Sequence, residues 1–133
     1  MNEKRVKKMM LNKRIVIEGE KVHNVGYRPF LLWKACELGI PNYDAKNVEE
    51  EGKQMMIVSF GGEENQLKSF IEFVKENYPP RAKVSGVSED EPPERVMSMD
   101  SYIKFLHVEQ LYELAHIPQI YKELKNVNGV IQI

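Results

Sequence analysis

The seven residues Val22-His23-Asn24-Val25-Gly26-Tyr27-Arg28 constrain this chain more than any others, because they must carry it from a strand into a helix. Before them, Arg14-Ile15-Val16-Ile17 is β-branched and reads as a buried strand. After them, Pro29 opens a helical pattern, and proline suits the start of a helix, where its missing N–H is no loss. A loop so placed leaves successive backbone N–H groups unpaired at the positive end of a helix, which makes a ready anion site. Arg28 stands at the mouth of that helix with a planar guanidinium able to hold two oxygens of one phosphate.

The rest of the chain alternates in step with this opening. The first strand is expected over residues 13–18 and the first helix over 29–38, with Gly39 as its C-terminal stop. Residues 43–48 and 54–60 read as a hairpin turned by the polar stretch 49–53, which contains Gly52. Gly61-Gly62 is expected to break that strand and turn it into a second helix, 67–78. There Leu67, Phe70, Ile71, Val74 and Tyr78 share one face, and Pro79-Pro80 ends the pattern. Residues 82–87 supply a fourth strand.

The order is βαββαβ, that of a ferredoxin-like α+β sandwich: an antiparallel sheet with two helices on one face, since each helix has a single apolar stripe to bury. Residues 88–94, acidic and proline-bearing, read as an exposed connector. Ile103, Leu106, Val108, Leu111, Leu114 and Ala115 then mark an added amphipathic helix, stopped or kinked at Pro118. A shorter segment with Ile120, Tyr121 and Leu124 follows, up to Asn128-Gly129. The last strand of the sheet is left open between 96–99, 130–133 and none. The expected organisation is a basic N-terminal segment 1–12, the βαββαβ domain over 13–91, and a helical extension 92–133 that packs on the domain or completes it.

With 133 residues the chain is long enough for one domain with its own core. A net charge of −1 gives no overall field that would draw nucleic acid or an acidic membrane. The basic start, with Lys4, Arg5, Lys7, Lys8, Lys13 and Arg14, could touch RNA or a partner, but a mobile terminus is the commoner role of such a segment. The single cysteine, Cys36, lies among Phe30, Leu32, Trp33 and Leu38 and is expected to be a buried structural thiol. No apolar run reaches membrane-spanning length and the start lacks the apolar core of a secretion signal, so a cytoplasmic protein is expected.

The loop also resembles the signature of the acylphosphatase family: a glycine, then Val-Gln-Gly-Val-Gly-(Phe/Tyr)-Arg, near the N-terminus. Gly19, Val22, Val25, Gly26, Tyr27 and Arg28 match it. His23 stands where the family has glutamine, Asn24 where it has glycine, and one extra residue separates Gly19 from Val22. The resemblance continues through Leu38-Gly39-Ile40, Tyr43-Asp44-Ala45-Lys46-Asn47, the second helix and Pro79-Pro80-Arg81-Ala82-Lys83-Val84, and stops near residue 92.

The resemblance implies a metal-independent hydrolase that splits a small acyl phosphate into a carboxylate and inorganic phosphate. Backbone N–H groups of His23, Asn24, Val25, Gly26, Tyr27 and Arg28 would cradle the phosphoryl group, Arg28 would clamp it, and Asn47 would position the attacking water. No cofactor is implied. The leaving carboxylate has a pKa of about 4 and departs without being protonated, so the demand on the protein is to spread phosphoryl charge over donors. The sequence shows no metal-ligand spacing and no Ser/His/Asp constellation.

The residues leave other readings open. Arg28 taken alone is an ordinary surface arginine, and Asn47 an ordinary turn entry that a one-residue slip of register would turn to the wrong face. Asn24 tolerates the left-handed backbone that glycine would adopt there, though its side chain could fill the anion pocket. His23 either donates to a bound anion when protonated or only braces the loop. His107 and His116 read as helix-surface or core histidines. Gly61-Gly62-Glu63-Glu64 is no phosphate loop, since no Lys-Ser/Thr pair follows.

At the level of the whole protein, the altered loop and the added helices leave a non-catalytic anion- or protein-binding module as the first alternative. Val25-Gly26-Tyr27-Arg28-Pro29-Phe30 is also similar to the acylphosphatase-like domain of hydrogenase-maturation carbamoyltransferases, and so admits a relative acting on carbamoyl phosphate. An RNA-binding module ranks last, because the central strand 54–60 offers only Phe60 for stacking. A protein partner or a homodimer through the C-terminal helices is left open.

Overall fold

A computed structural model describes residues 9–115. Four strands and three helices follow one another: β1 (Met10–Lys21), α1 (Tyr27–Glu37), β2 (Asn42–Glu50), β3 (Lys53–Glu63), α2 (Glu64–Glu76), β4 (Lys83–Asp90) and α3 (Met99–Leu114). The strands form one antiparallel sheet in the order β2-β3-β1-β4, the ferredoxin-like arrangement expected from the sequence. By contacts the described residues divide into two compact units, one ending at Met99 and the other beginning at Asp100.

The core of the first unit follows from strand alternation. Ile15 and Ile17 of β1, Tyr43 and Ala45 of β2, and Met56, Val58 and Phe60 of β3 lie at alternate positions and are buried. Leu31 and Ala35 of α1 and Leu67, Phe70 and Val74 of α2 are buried with them. Phe70 stands edge-on to Phe60, with ring centroids 4.8 Å apart, and to Tyr43 at 6.0 Å. The two helices therefore share one face of the sheet.

Helix ends depart from the periodic pattern. α1 begins at Tyr27, two residues before Pro29, because Gly26 with φ +80° caps it and Gly26 O accepts from Phe30 N at 3.1 Å. It ends as expected at Gly39 (φ +72°), where Ile40 N donates to Ala35 O. α2 starts at Glu64 rather than 67 and ends at Glu76 before Tyr78, which is exposed. Its start is fixed by a capping box between Glu63 and Gln66. The amide of Gln66 also donates to the carbonyls of Leu38 and Gly39, tying the two helices together.

Gly61-Gly62 does not break β3. The strand runs on to Glu63, pairing Gly61 with Asn12 and Gly62 with Leu11, because a side chain at either glycine would collide with Asn12 or with Gln66 and Pro41. β4 likewise takes in residues 88–90 of the expected connector. Cys36 is exposed rather than buried: the inward stripe of α1 is Tyr27, Leu31 and Ala35, and Cys36 falls outside it with Trp33.

The remaining connector is fastened to the sheet. Asn12 Nδ2 donates to the carbonyls of Pro93 and Glu94. Tyr43 N donates to Met97 O at 2.9 Å and Met99 N to Pro41 O at 2.7 Å, with a single antiparallel bridge between Asn42 and Ser98. Among the described residues, 96–99 thus supplies what there is of a fifth strand, along the free edge of β2. In the second unit, the expected C-terminal helix is α3, with Ile103, Val108, Leu111 and Leu114 exposed and His107 on its surface. Pro118, His116, the segment 120–129 and the strand 130–133 lie outside the described residues.

Candidate active site

The extra residue after Gly19 is absorbed by the sheet before the loop begins. β1 and β4 lose register twice, between Glu18 and Gly19 and between Gly19 and Lys21. At this irregularity the backbone of Lys83 and Val84 passes so close to Gly19 that a Cβ there would overlap it. Glycine is thus demanded at 19 by the close approach of its paired strand β4. The loop then leaves from a fixed point.

Three of the loop's side chains are driven into the core: Val22, Val25 and Tyr27 are buried. With those anchored, the backbone between them turns outward. Asn24 adopts the left-handed conformation, φ +59°, where the sequence led us to expect tolerance of it. Gly26 is left-handed too and has open space around the site of a Cβ, so glycine is needed there for its backbone angles alone. α1 has no side-chain cap at its start, so its first N–H groups are not consumed by one.

A cavity of about 140 Å³ opens at this point, lined by Val22, Asn24, Gly26, Tyr27, Arg28, Pro29, Asn47 and Met56. It offers room for a phosphoryl group and bound water. The loop thus meets β2 here. Asn47 pairs with Met56 in the β2–β3 ladder and shares the face of Tyr43 and Ala45, so the slip of register that would have turned it away has not occurred. Arg28 is half-buried and Asn47 exposed at the rim.

His23 is the exception among the expected site residues. Its N–H donates to Gln54 Oε1 at 2.8 Å and is not left over for an anion. Its ring does not line the cavity; Nε2 lies 2.8 Å from the carbonyl oxygen of Met55. A carbonyl can only accept, so Nε2 carries the proton. In this arrangement the ring ties the loop to β3.

Gln54, which belongs to no sequence motif, accepts from both Val22 N (2.9 Å) and His23 N. A signal for it existed. In the series 54, 56, 58, 60 on β3, Met56, Val58 and Phe60 are buried and apolar, and Gln54 is the one polar residue on that core-facing parity. The phenol of Tyr27 is buried with no hydrogen-bond partner among the described residues. Burial, reinforced by nearby Tyr78, raises its pKa above the ordinary value, so it stays neutral. Among the described residues no cluster of His, Cys, Asp and Glu could hold a metal ion, and no helix is long and apolar enough to cross a membrane.

The acylphosphatase family model matches residues 13–102, which takes in the loop, Asn47 and the fastened segment 96–99. The chain is a member of the acylphosphatase family. Among solved structures, full-length HypF in its phosphate- and nucleotide-bound form is 22% identical with a TM-score of 0.57, over 68% of this chain and 11% of that one. This likeness is one of fold, and the chain spans only that small share of HypF. The acylphosphatase of Bacillus subtilis is 28% identical (TM-score 0.47, 68% of this chain and 94% of that one). That of Coxiella burnetii is 23% identical (TM-score 0.48, 68% and 93%). Comparison with curated protein sequences finds no match. Family membership supports acyl phosphate hydrolysis in general terms.

Proposed function

We propose that this acylphosphatase-family protein hydrolyses a small acyl phosphate to a carboxylate and inorganic phosphate, without metal or cofactor. The observation that carries the reading is a cavity lined together by left-handed Asn24 and Gly26, the first turn of α1 with Arg28, and Asn47 from the neighbouring strand. A phosphoryl group held there meets backbone N–H groups of residues 24 to 28 at the positive end of a helix. The Arg28 guanidinium takes two of its oxygens.

Asn47 holds a water with its carboxamide, on the side opposite the acyl oxygen. The water oxygen forms its bond to phosphorus as the bond from phosphorus to the acyl oxygen breaks. Both electrons of that bond leave with the carboxylate, which needs no proton. Asparagine cannot act as a base, so the proton of the water passes to a phosphoryl oxygen. The donors act on charge that spreads over the phosphoryl oxygens in the transition state.

The test is turnover of benzoyl phosphate by the purified protein, with and without a chelator. Turnover above the spontaneous rate that a chelator leaves unchanged supports the reading. Binding of inorganic phosphate without turnover favours an anion-binding module on the same fold. Turnover confined to carbamoyl phosphate would identify a relative acting on that substrate instead.

A further inference from the structure

Gln54 sits at the start of β3, opposite Gly19 on β1 and Glu49 on β2. Its side chain lies on the core-facing parity of the strand, where an unpaired amide would be costly. Its oxygen accepts two successive backbone N–H groups, Val22 at 2.9 Å and His23 at 2.8 Å. Two neighbouring amides converging on one oxygen are themselves a small anion nest, here filled by a neutral oxygen from within the protein. The next residue, Met55, takes the His23 ring on its carbonyl. Residue 23 is thus held to β3 through both its backbone and its side chain.

This clamp bears on where the phosphoryl group would sit. β3 is also the strand that positions Asn47, through the pairing of Asn47 with Met56, and Met56 lines the cavity itself. Loop and water-holding residue are therefore referenced to one stretch of strand, residues 54–56. Resting on the proposed hydrolase reading, we infer that Gln54 is a positioning residue. It removes Val22 and His23 from the donor set, so that the cradle begins at Asn24, and it fixes the cradle in register with Asn47.

Gln54→Met keeps length and removes the acceptor, whereas Gln54→Glu keeps an acceptor of the same reach and adds a negative charge. In Gln54→Met, amide hydrogen exchange at Val22 and His23 should quicken, and kcat for benzoyl phosphate should fall about tenfold or more, since small misplacements of reacting groups are costly in rate. Gln54→Glu should restore both amide protection and kcat while KM rises from repulsion of the anionic substrate. A merely structural glutamine would not divide kcat from KM in this way between two folded variants. Native kcat and KM in folded Gln54→Met overturn the inference and leave the hydrolase reading standing. If the native protein neither binds phosphate nor turns over an acyl phosphate, the hydrolase reading fails, and the positioning role fails with it.

Discussion

Asn24 in the loop and Glu51 in the β2–β3 turn hold the same unusual backbone at the same end of the sheet, with φ +59° and +51°. Each is followed closely by a left-handed glycine, Gly26 (φ +80°) and Gly52 (φ +79°). Of the two, only Asn24 lines the cavity of the candidate site. Glu51 and Gly52 close a tight turn between Glu50 and Lys53, are exposed, and have a purely local reason for their angles: the strand must reverse. Asn24 lies between buried Val22 and Val25, with the chain before it clamped to Gln54 and Met55. Left-handed backbone costs a non-glycine residue about 1–2 kcal/mol wherever it occurs, so strain alone does not mark a site. Strain held in place from outside the loop, beside converging donors, does.

The comparison would break most decisively at Arg28. If the loop is a working cradle, Arg28→Ala should lower kcat/KM for benzoyl phosphate by about 10²–10³-fold, the usual loss for one preorganised charge donor. Arg28→Lys should fail almost as far, because an ammonium cannot reproduce a planar two-pronged contact. Near-native turnover in either folded variant would reduce the loop to an elaborate version of the hairpin turn.

A finer cut exchanges the strained residues themselves. Asn24→Gly installs the residue typical of the family and removes a side chain from the cavity wall. Its effect on stability should be small, within about 1 kcal/mol, since glycine accepts positive φ at the expense of a freer unfolded chain. Phosphate affinity, read by calorimetry or as a ligand-dependent rise in Tm, should hold or increase. A loss of affinity in folded Asn24→Gly would mean that the asparagine amide is itself part of the site. The same exchange at Glu51 should leave phosphate affinity untouched.

How much of this was legible in the sequence depended on whether a residue's role is local or set by tertiary contact. The order of elements was legible because periods of 2 and 3.6 survive in Ile15-Val16-Ile17 and in Leu67, Phe70 and Val74. So was the geometry of the candidate site, where the loop turns left-handed at Asn24 and Gly26 and Asn47 keeps the strand parity of Tyr43 and Ala45. The continuation of β3 through Gly61-Gly62 was not, because it depends on Asn12, Gln66 and Pro41 crowding from elsewhere in the chain. Cys36 is exposed because apolar neighbours in sequence do not define a face, and the buried face is set by Tyr27, Leu31 and Ala35. The engagement of His23 by Gln54 joins residues 31 apart and leaves no local trace beyond one polar residue in a core-facing series.

Tyr27 tests the anchoring side of the comparison, since the hairpin turn has no buried counterpart. Its phenol is held neutral in the folded protein, with its pKa raised mainly by burial, whereas the unfolded chain titrates near the ordinary value of about 10. The raised folded pKa contributes stability that is fully present below pH ~10 and is lost as the pH rises beyond it, where only the unfolded state releases the proton. Tyr27→Phe should therefore flatten the alkaline fall of Tm above pH ~10. At neutral pH it should leave stability equal or raise it by up to about 1 kcal/mol, because a buried hydroxyl with no partner among the described residues is removed. An unchanged alkaline limb would mean that the phenol is not the group that titrates.

The smallest effect is expected at the hairpin, where it isolates the local half of the comparison. A two-residue turn with both φ values positive favours asparagine at its first position, and glutamate is a poor occupant because its side chain gains nothing from the left-handed backbone. Glu51→Asn keeps Gly52 and the Glu50–Lys53 pairing, and it removes one charge from the run Glu49-Glu50-Glu51. Both changes favour the turn, so the folded state should gain roughly 0.5 kcal/mol, a fraction of the left-handed penalty. Denaturant unfolding would show this as a small rise in midpoint at constant slope. Hydrolysis and phosphate affinity should stay at native values, since neither Glu51 nor Gly52 lines the cavity. If Glu51→Asn instead altered phosphate binding, the turn and the cradle would be coupled through Gln54, three residues away, and the division between local and held strain would have to be redrawn around that strand.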